Sequence, residues 1–173
     1  NHPLIWRRTM LHSAIRQFIQ DVFWGELDYL IIDLPPGTGD AQLSIAQNLP
    51  LSGGLLVTLP QQVSREDAIR GLEMFRSMEV PVLGVIENMS YLELPDGDIM
   101  DIFGRGGGEA LASESGVPFL GAIPMDATVR EGGDQGKPIV LTHPDSSVSL
   151  GFKEIVDRLT VQLDSERAAT TPK

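Results

Sequence analysis

A chain of 173 residues that is 42% hydrophobic and 21% charged is long enough to bury roughly 70% of the surface its unfolded form exposes, so its core needs no disulfide or structural metal. Thirteen basic residues against 24 acidic ones give a net charge of −11, which argues against binding nucleic acid or anionic lipid through bulk electrostatics. The sequence has no cysteine, and this excludes a disulfide framework, thiol nucleophiles and any thiolate-held metal or cluster made from its own residues.

The chain opens on Asn1 and passes at once into Leu4-Ile5-Trp6, as if cut from something longer. It has neither the ~20 consecutive apolar residues of a membrane span nor a basic-then-apolar leader, which makes the cytoplasm the default expectation. From Met10, with Thr9 as N-cap, Leu11, Ala14, Ile15, Phe18, Ile19 and Val22 recur at helical spacing. The run Asp28-Tyr-Leu-Ile-Ile-Asp33 then predicts a strand buried on both faces, as in a parallel sheet, and it stops at Pro35-Pro36. Similar runs at 54–59, 82–86 and 119–123 predict three more strands.

Between the second and third strands, residues 64–78 predict a helix. Ser64 is its N-cap, Asp67 lies toward its positive end, and Ala68, Ile69, Leu72 and Phe75 form an inward stripe. Residues 147–163 predict another, with Val148, Phe152, Ile155, Val156, Leu159 and Leu163 on one face, and weaker helices follow Asp40 and Gly108. Strands alternating with helices imply an α/β fold with a doubly wound, mostly parallel sheet. Residues 1–163 read as part of a single domain and 164–173 as a disordered polar tail.

The most informative stretch is Ile31-Ile-Asp-Leu-Pro-Pro-Gly-Thr-Gly-Asp40. A carboxylate ending a buried strand stands at the sheet edge where open α/β folds bind ligands. There Asp33 suits Mg²⁺, a hard ion usually held through its water shell, and Gly37 and Gly39 admit backbone amides close to a phosphate. The same residues also fit a strand end followed by a Pro-Gly turn and a helix cap.

The segments Trp24 to Asp40, Thr58-Leu-Pro-Gln61, Gly84-Val-Ile-Glu-Asn-Met-Ser-Tyr91, Ile102-Phe-Gly104 with Gly106-Gly-Gly108, and Phe119-Leu-Gly-Ala-Ile-Pro124 together resemble the Mrp family. These are MinD-like P-loop ATPases, many of them known as iron–sulfur cluster carrier proteins, and the match runs in unbroken order from Trp6 to Thr142. The resemblance implies a P-loop NTPase fold, ATP and Mg²⁺ as cofactors, hydrolysis by the complete protein, a 4Fe–4S cluster, a homodimer, and iron–sulfur scaffold or apo-protein clients. The acidic net charge and the lack of an apolar span, and not the resemblance, give the expectation of no nucleic-acid and no membrane partner. Residue by residue, it makes Asp33 the carboxylate supporting Mg²⁺ and Pro36-Gly37 the turn sensing the terminal phosphate. Asn88 becomes the contact to the adenine edge, and Pro124 with Met125 and Asp126 the loop on the other side of the base, largely through backbone. Asp40 and Gln42 serve the dimer or a helix cap.

The sequence departs from the family pattern twice. The phosphate loop G-x-x-x-x-G-K-[ST] and switch I are missing; Gly136-Lys137, followed by Pro138, is the nearest approach. The chain therefore reads as the C-terminal part of a family member, inactive alone as an ATPase and exposing an apolar sheet edge. Leu94 and Gly97 stand where many relatives carry a Cys-x-x-Cys pair that bridges a cluster between subunits. The nearby Glu93, Asp96, Asp98 and Asp101 are hard oxygen donors that suit a solvated acidic loop. This leaves open an alternative function, a nucleotide-gated dimeric scaffold or partner-binding module without cluster binding. The Gly104–Gly108 loop reads as a turn in preference to an anion site, and His2, His12 and His143 lack partners at metal-ligand spacing.

Overall fold

The computed structural model describes residues 13, 17–34, 42, 43, 45 and 49–170, and the chain divides into two compact units, Asn1–Leu51 and Ser52–Lys173. In the first unit residues 17–20 are helical, but Phe18 is 66% exposed and Val22 is also exposed, so the inward stripe does not hold there. Thr9 lies outside the described residues. The expected strand 28–33 does not form: these residues carry no strand, and Ile31 is 88% exposed. An extended apolar run becomes a strand only when neighbours on its flanks satisfy its N–H and C=O groups, and no described strand pairs with this one.

The second unit follows the predicted alternation. In chain order it contains β1 (Gly54–Thr58), α1 (Gln62–Ser77), β2 (Val82–Glu87), β3 (Leu92–Glu93), β4 (Ile99–Met100), α2 (Gly107–Ser115), β5 (Phe119–Ala122), α3 (Ala127–Gln135), α4 (Ile139–Thr142) and α5 (Ser147–Thr170). The three longer strands form one parallel sheet in the order β1-β2-β5, with Val57 opposite Ile86 and Ile86 opposite Gly121. β3 and β4 form a separate antiparallel hairpin.

Burial on both faces holds for β2 and fails for β1. Gly54, Leu56 and Thr58 are buried, while Leu55 and Val57 on the opposite face are exposed. Among the described residues only β2 pairs with β1, and the exposed Leu55 and Val57 make this edge apolar. On the buried side the Phe75 ring fills the space a Cβ on Gly54 would take, which holds α1 against β1. A second cluster joins Leu120 of β5 and Ile123 to Ile139, Val148 and Ile155, with Ile86, Phe152 and Leu159 packed around it. Because Leu120 is 1% exposed, Leu120→Ala is expected to cost about 3 kcal/mol, through lost transfer energy and the remaining cavity, as a lowered urea midpoint at unchanged slope.

Several local expectations are corrected. Helix α1 begins at Gln62 with Gln61 as N-cap, and Ser64, already in the helix, accepts a hydrogen bond from Leu59 N at 2.9 Å. A hydroxyl in the first turn reaches backward as readily as it caps forward. Asp67 therefore lies beyond the first turn and pairs with Arg70. Met74 takes a buried place and Ile69 is partly exposed, as is Val156 on α5. Helix α5 continues through 164–170, where the aperiodic polar sequence predicts a tail. Glu166, Arg167 and Ala168 are good helix formers, so an established helix extends without an apolar stripe.

Candidate functional site

The carboxyl ends of β1, β2 and β5 form one edge, where open parallel α/β sheets receive ligands. Beyond the strands the backbone pairing continues. Asn88 N donates to Thr58 O at 2.8 Å, Ile123 N to Glu87 O at 2.8 Å, Ser90 N to Ile123 O at 2.9 Å, and Met125 N to Tyr91 O at 2.7 Å. These bonds lay the 88–92 loop along 123–125, so Asn88, Pro124 and Asp126 stand on adjoining loops.

Asn88 is half-buried, and its Oδ1 accepts from Met89 N at 3.0 Å. That bond fixes the amide so that its NH₂ group remains available as a donor. Asp126 is the N-cap of α3, its Oδ1 accepting from Thr128 N at 2.7 Å and Thr128 Oγ1 at 2.6 Å. One carboxylate oxygen is thus committed to the helix. Pro124 and Asp126 line a hollow of about 250 Å³ together with Leu92, Glu93, Met125 and Ser147; Asn88 is not among its lining residues. Ser147 Oγ donates to Glu93 Oε2 at 2.9 Å across it. With Glu93 and Asp126 in its wall, the hollow suits hydroxyl and amine donors and repels phosphate.

Tyr91 lies under the Arg105 guanidinium, 5.4 Å from ring centroid to Cζ. Burial, and next the charge of Glu93, push the Tyr91 phenol above its ordinary value against the opposing pull of Arg105, so it is protonated at neutral pH.

Sequence reasoning assigned no role to Glu87, which is 1% exposed at the end of β2. Its Oε1 accepts from Ser90 Oγ at 2.5 Å and Gly106 N at 3.2 Å, and its Oε2 from Gly108 N at 2.6 Å. Two amides at the start of α2, those of Gly106 and Gly108, are therefore taken by the protein's own carboxylate, in keeping with the turn reading of the Gly104–Gly108 loop. The available signal was the one that drew attention to Asp33, a carboxylate closing an apolar strand run.

Asp33 is exposed in the first unit, and Gln42 is buried there. Pro36, Gly37 and Asp40 lie outside the described residues, as do His2 and His12. His143 Nδ1 lies 3.0 Å from Thr142 Oγ1, and no group of three or more metal-ligating side chains occurs among the described residues. Leu94 and Gly97 form the turn of the β3–β4 hairpin, with Gly97 N donating to Leu94 O at 2.9 Å and Leu94 N to Asp98 O at 2.8 Å. Among the described residues no helix is long and apolar enough to cross a membrane.

The fold of this chain is shared with solved structures. An Archaeoglobus fulgidus nucleotide-binding protein in complex with ADP aligns with a TM-score of 0.67 at 38% identity, over 74% of this chain and 53% of that one. The Pyrococcus furiosus cell division ATPase MinD shares the fold, with a TM-score of 0.62 at 23% identity over 90% of this chain and 59% of its own. The architecture is thus that of a MinD-like P-loop NTPase.

The family model ParA, described as the NUBPL iron-transfer P-loop NTPase, matches residues 1–160, and the chain belongs to this family. An iron–sulfur cluster carrier protein of Deinococcus radiodurans is 49% identical over 171 residues, covering 98% of this chain and 48% of the relative. The iron–sulfur cluster transfer protein NUBPL of Dictyostelium discoideum is 44% identical over 163 residues, covering 94% and 50%. The chain spans about half the length of the curated relatives it matches.

Proposed function

We propose that this chain is part of an ATP-hydrolysing iron–sulfur cluster carrier and supplies the surface that receives the adenine base. The observation that carries this reading is that Asn88 and the 124–126 loop stand on adjoining segments at the carboxyl edge of β2 and β5, in a chain of this family. The Asn88 amide offers a donor and an acceptor side by side, the complement of an adenine edge, which presents a ring-nitrogen acceptor beside an amino donor. Guanine presents two acceptors on the corresponding edge, and an amide fixed by Met89 N–H does not turn to suit it. Pro124 gives the base an apolar flank, and the carboxylates of Glu93 and Asp126 suit the ribose hydroxyls. Asp33 would hold Mg²⁺ through its water shell, and Pro36-Gly37 would approach the terminal phosphate. Bound Mg²⁺ would supply neutralising charge at that phosphate. The loop and lysine that cradle phosphates are not in this sequence, so hydrolysis is proposed for the full-length protein, acting as a homodimer.

The cluster is the cargo in this reading, and no thiolate of this chain holds it. The absence of cysteine, with Leu94 and Gly97 in the β3–β4 turn, favours a second reading, a nucleotide-gated scaffold without cluster binding. Anaerobic reconstitution of the full-length protein with iron and sulfide separates the two: cluster uptake supports the carrier, and none supports the scaffold. Asn88→Ala is expected to weaken ADP binding about 10-fold, leave GDP binding unchanged and so remove most of the preference. Equal ADP and GDP affinities before and after the substitution, measured by calorimetry, would remove Asn88 from base recognition.

A further inference from the structure

We infer that Glu87 is a positioning residue for base recognition, acting through the Asn88 amide; this rests on the reading of Asn88 given above. Glu87 and Ser90 bracket the turn that carries Asn88 and Met89, and both are buried, at 1% and 2% exposure. Their side chains meet at 2.5 Å, closing the turn from inside. Within it Met89 takes a left-handed backbone with φ 51, a conformation that a side-chain-bearing residue keeps only when its surroundings hold it there. The same turn places Met89 N–H on Asn88 Oδ1 and thereby sets which side of the amide donates.

The carboxylate is itself held from a second direction, by Gly106 N and Gly108 N at the start of α2. That helix start lies close against its neighbours: a Cβ on Gly107 would stand 2.2 Å from Pro60 O and one on Gly108 2.9 Å from Glu87 Cβ. Glu87 thus ties the turn presenting Asn88 to the start of α2, which itself lies against Pro60 after β1. An apolar residue of similar size would fill the volume and leave the Ser90 hydroxyl and two amides without an acceptor. A glutamine would fill it and put an amino group where an acceptor is required.

The test compares wild type, Glu87→Gln, Ser90→Ala and Asn88→Ala in the full-length protein, with ADP, GDP and inorganic tripolyphosphate as calorimetric probes. Glu87→Gln is expected to lower ADP affinity ~10-fold and the ADP-over-GDP preference by a similar factor, with tripolyphosphate binding unchanged. Ser90→Ala, which keeps the carboxylate and removes only the closing bond, is expected to shift the preference in the same direction by ~3-fold, and it carries the test if Glu87→Gln does not fold. Equal losses for ADP and tripolyphosphate would mean that Glu87 only supports the fold, and would overturn the inference. A preference lost in Asn88→Ala and intact in the other two would overturn it while leaving Asn88 as the base contact. An unchanged preference in Asn88→Ala would overturn both.

Discussion

Asp33→Asn in the full-length protein is expected to lower Mg²⁺-dependent ATP hydrolysis about 10- to 100-fold, the range typical of outer-sphere metal partners. Asparagine keeps the size and one acceptor oxygen but loses the negative charge that, in the proposed role, would orient water on a bound Mg²⁺. Nucleotide binding without Mg²⁺ is expected to be unaffected, since the proposed base contacts are Asn88 and the 124–126 loop. Asp33 is exposed in this structure, and its packing contribution is small, so a loss of turnover at unchanged thermal stability isolates the electrostatic role. Steady-state kinetics across a range of Mg²⁺ concentrations is the measurement: a raised Mg²⁺ requirement supports the assignment, and turnover identical to wild type removes Asp33 from the mechanism.

The second large effect concerns stability. Gly107→Ala is expected to destabilise the Ser52–Lys173 unit by about 3 kcal/mol, because the new methyl would stand 2.2 Å from Pro60 O. The atom it meets is backbone, so no flexible side chain can yield, and either the start of α2 or the segment after β1 has to move. Gly104→Ala serves as a comparison of a different kind. Its added Cβ meets nothing within 4 Å, so any loss comes from the strained backbone at φ 82. Chemical denaturation of both variants checks the difference, and a Gly107→Ala midpoint equal to wild type would show that the loop accommodates a side chain there.

The elements that were legible in the sequence are those whose partners are close along the chain. Val82–Glu87 reads as a strand from its uninterrupted apolar run, and it lies between β1 and β5, each one helical crossover away. The stripe of Ala68, Leu72 and Phe75 reads as a helix face, and all three residues are buried. The 28–33 run carries the same apolar signal as β2, yet no described strand pairs with it. Apolar patterning reports a tendency to be buried, while a strand also requires another backbone beside it. Helix α5 beyond Leu163 errs in the opposite direction: without an apolar stripe it offers no periodic signal, yet its residues favour a helix already nucleated upstream.

At the candidate site, Asn88, Pro124 and Asp126 were found through the order of short segments around them, not through any local chemistry. The sequence by itself determined the family, the alternation of strands and helices, the placement of those residues at strand ends, and the lack of any thiolate. Tertiary structure alone decided that Glu87 is buried against Ser90, Gly106 and Gly108, residues up to 21 positions away, and that Asp126 turns one oxygen to its own helix. A carboxylate's role depends on which donors surround it, and those donors are brought together by the packing of α2 on β2, which no local pattern around Glu87 encodes.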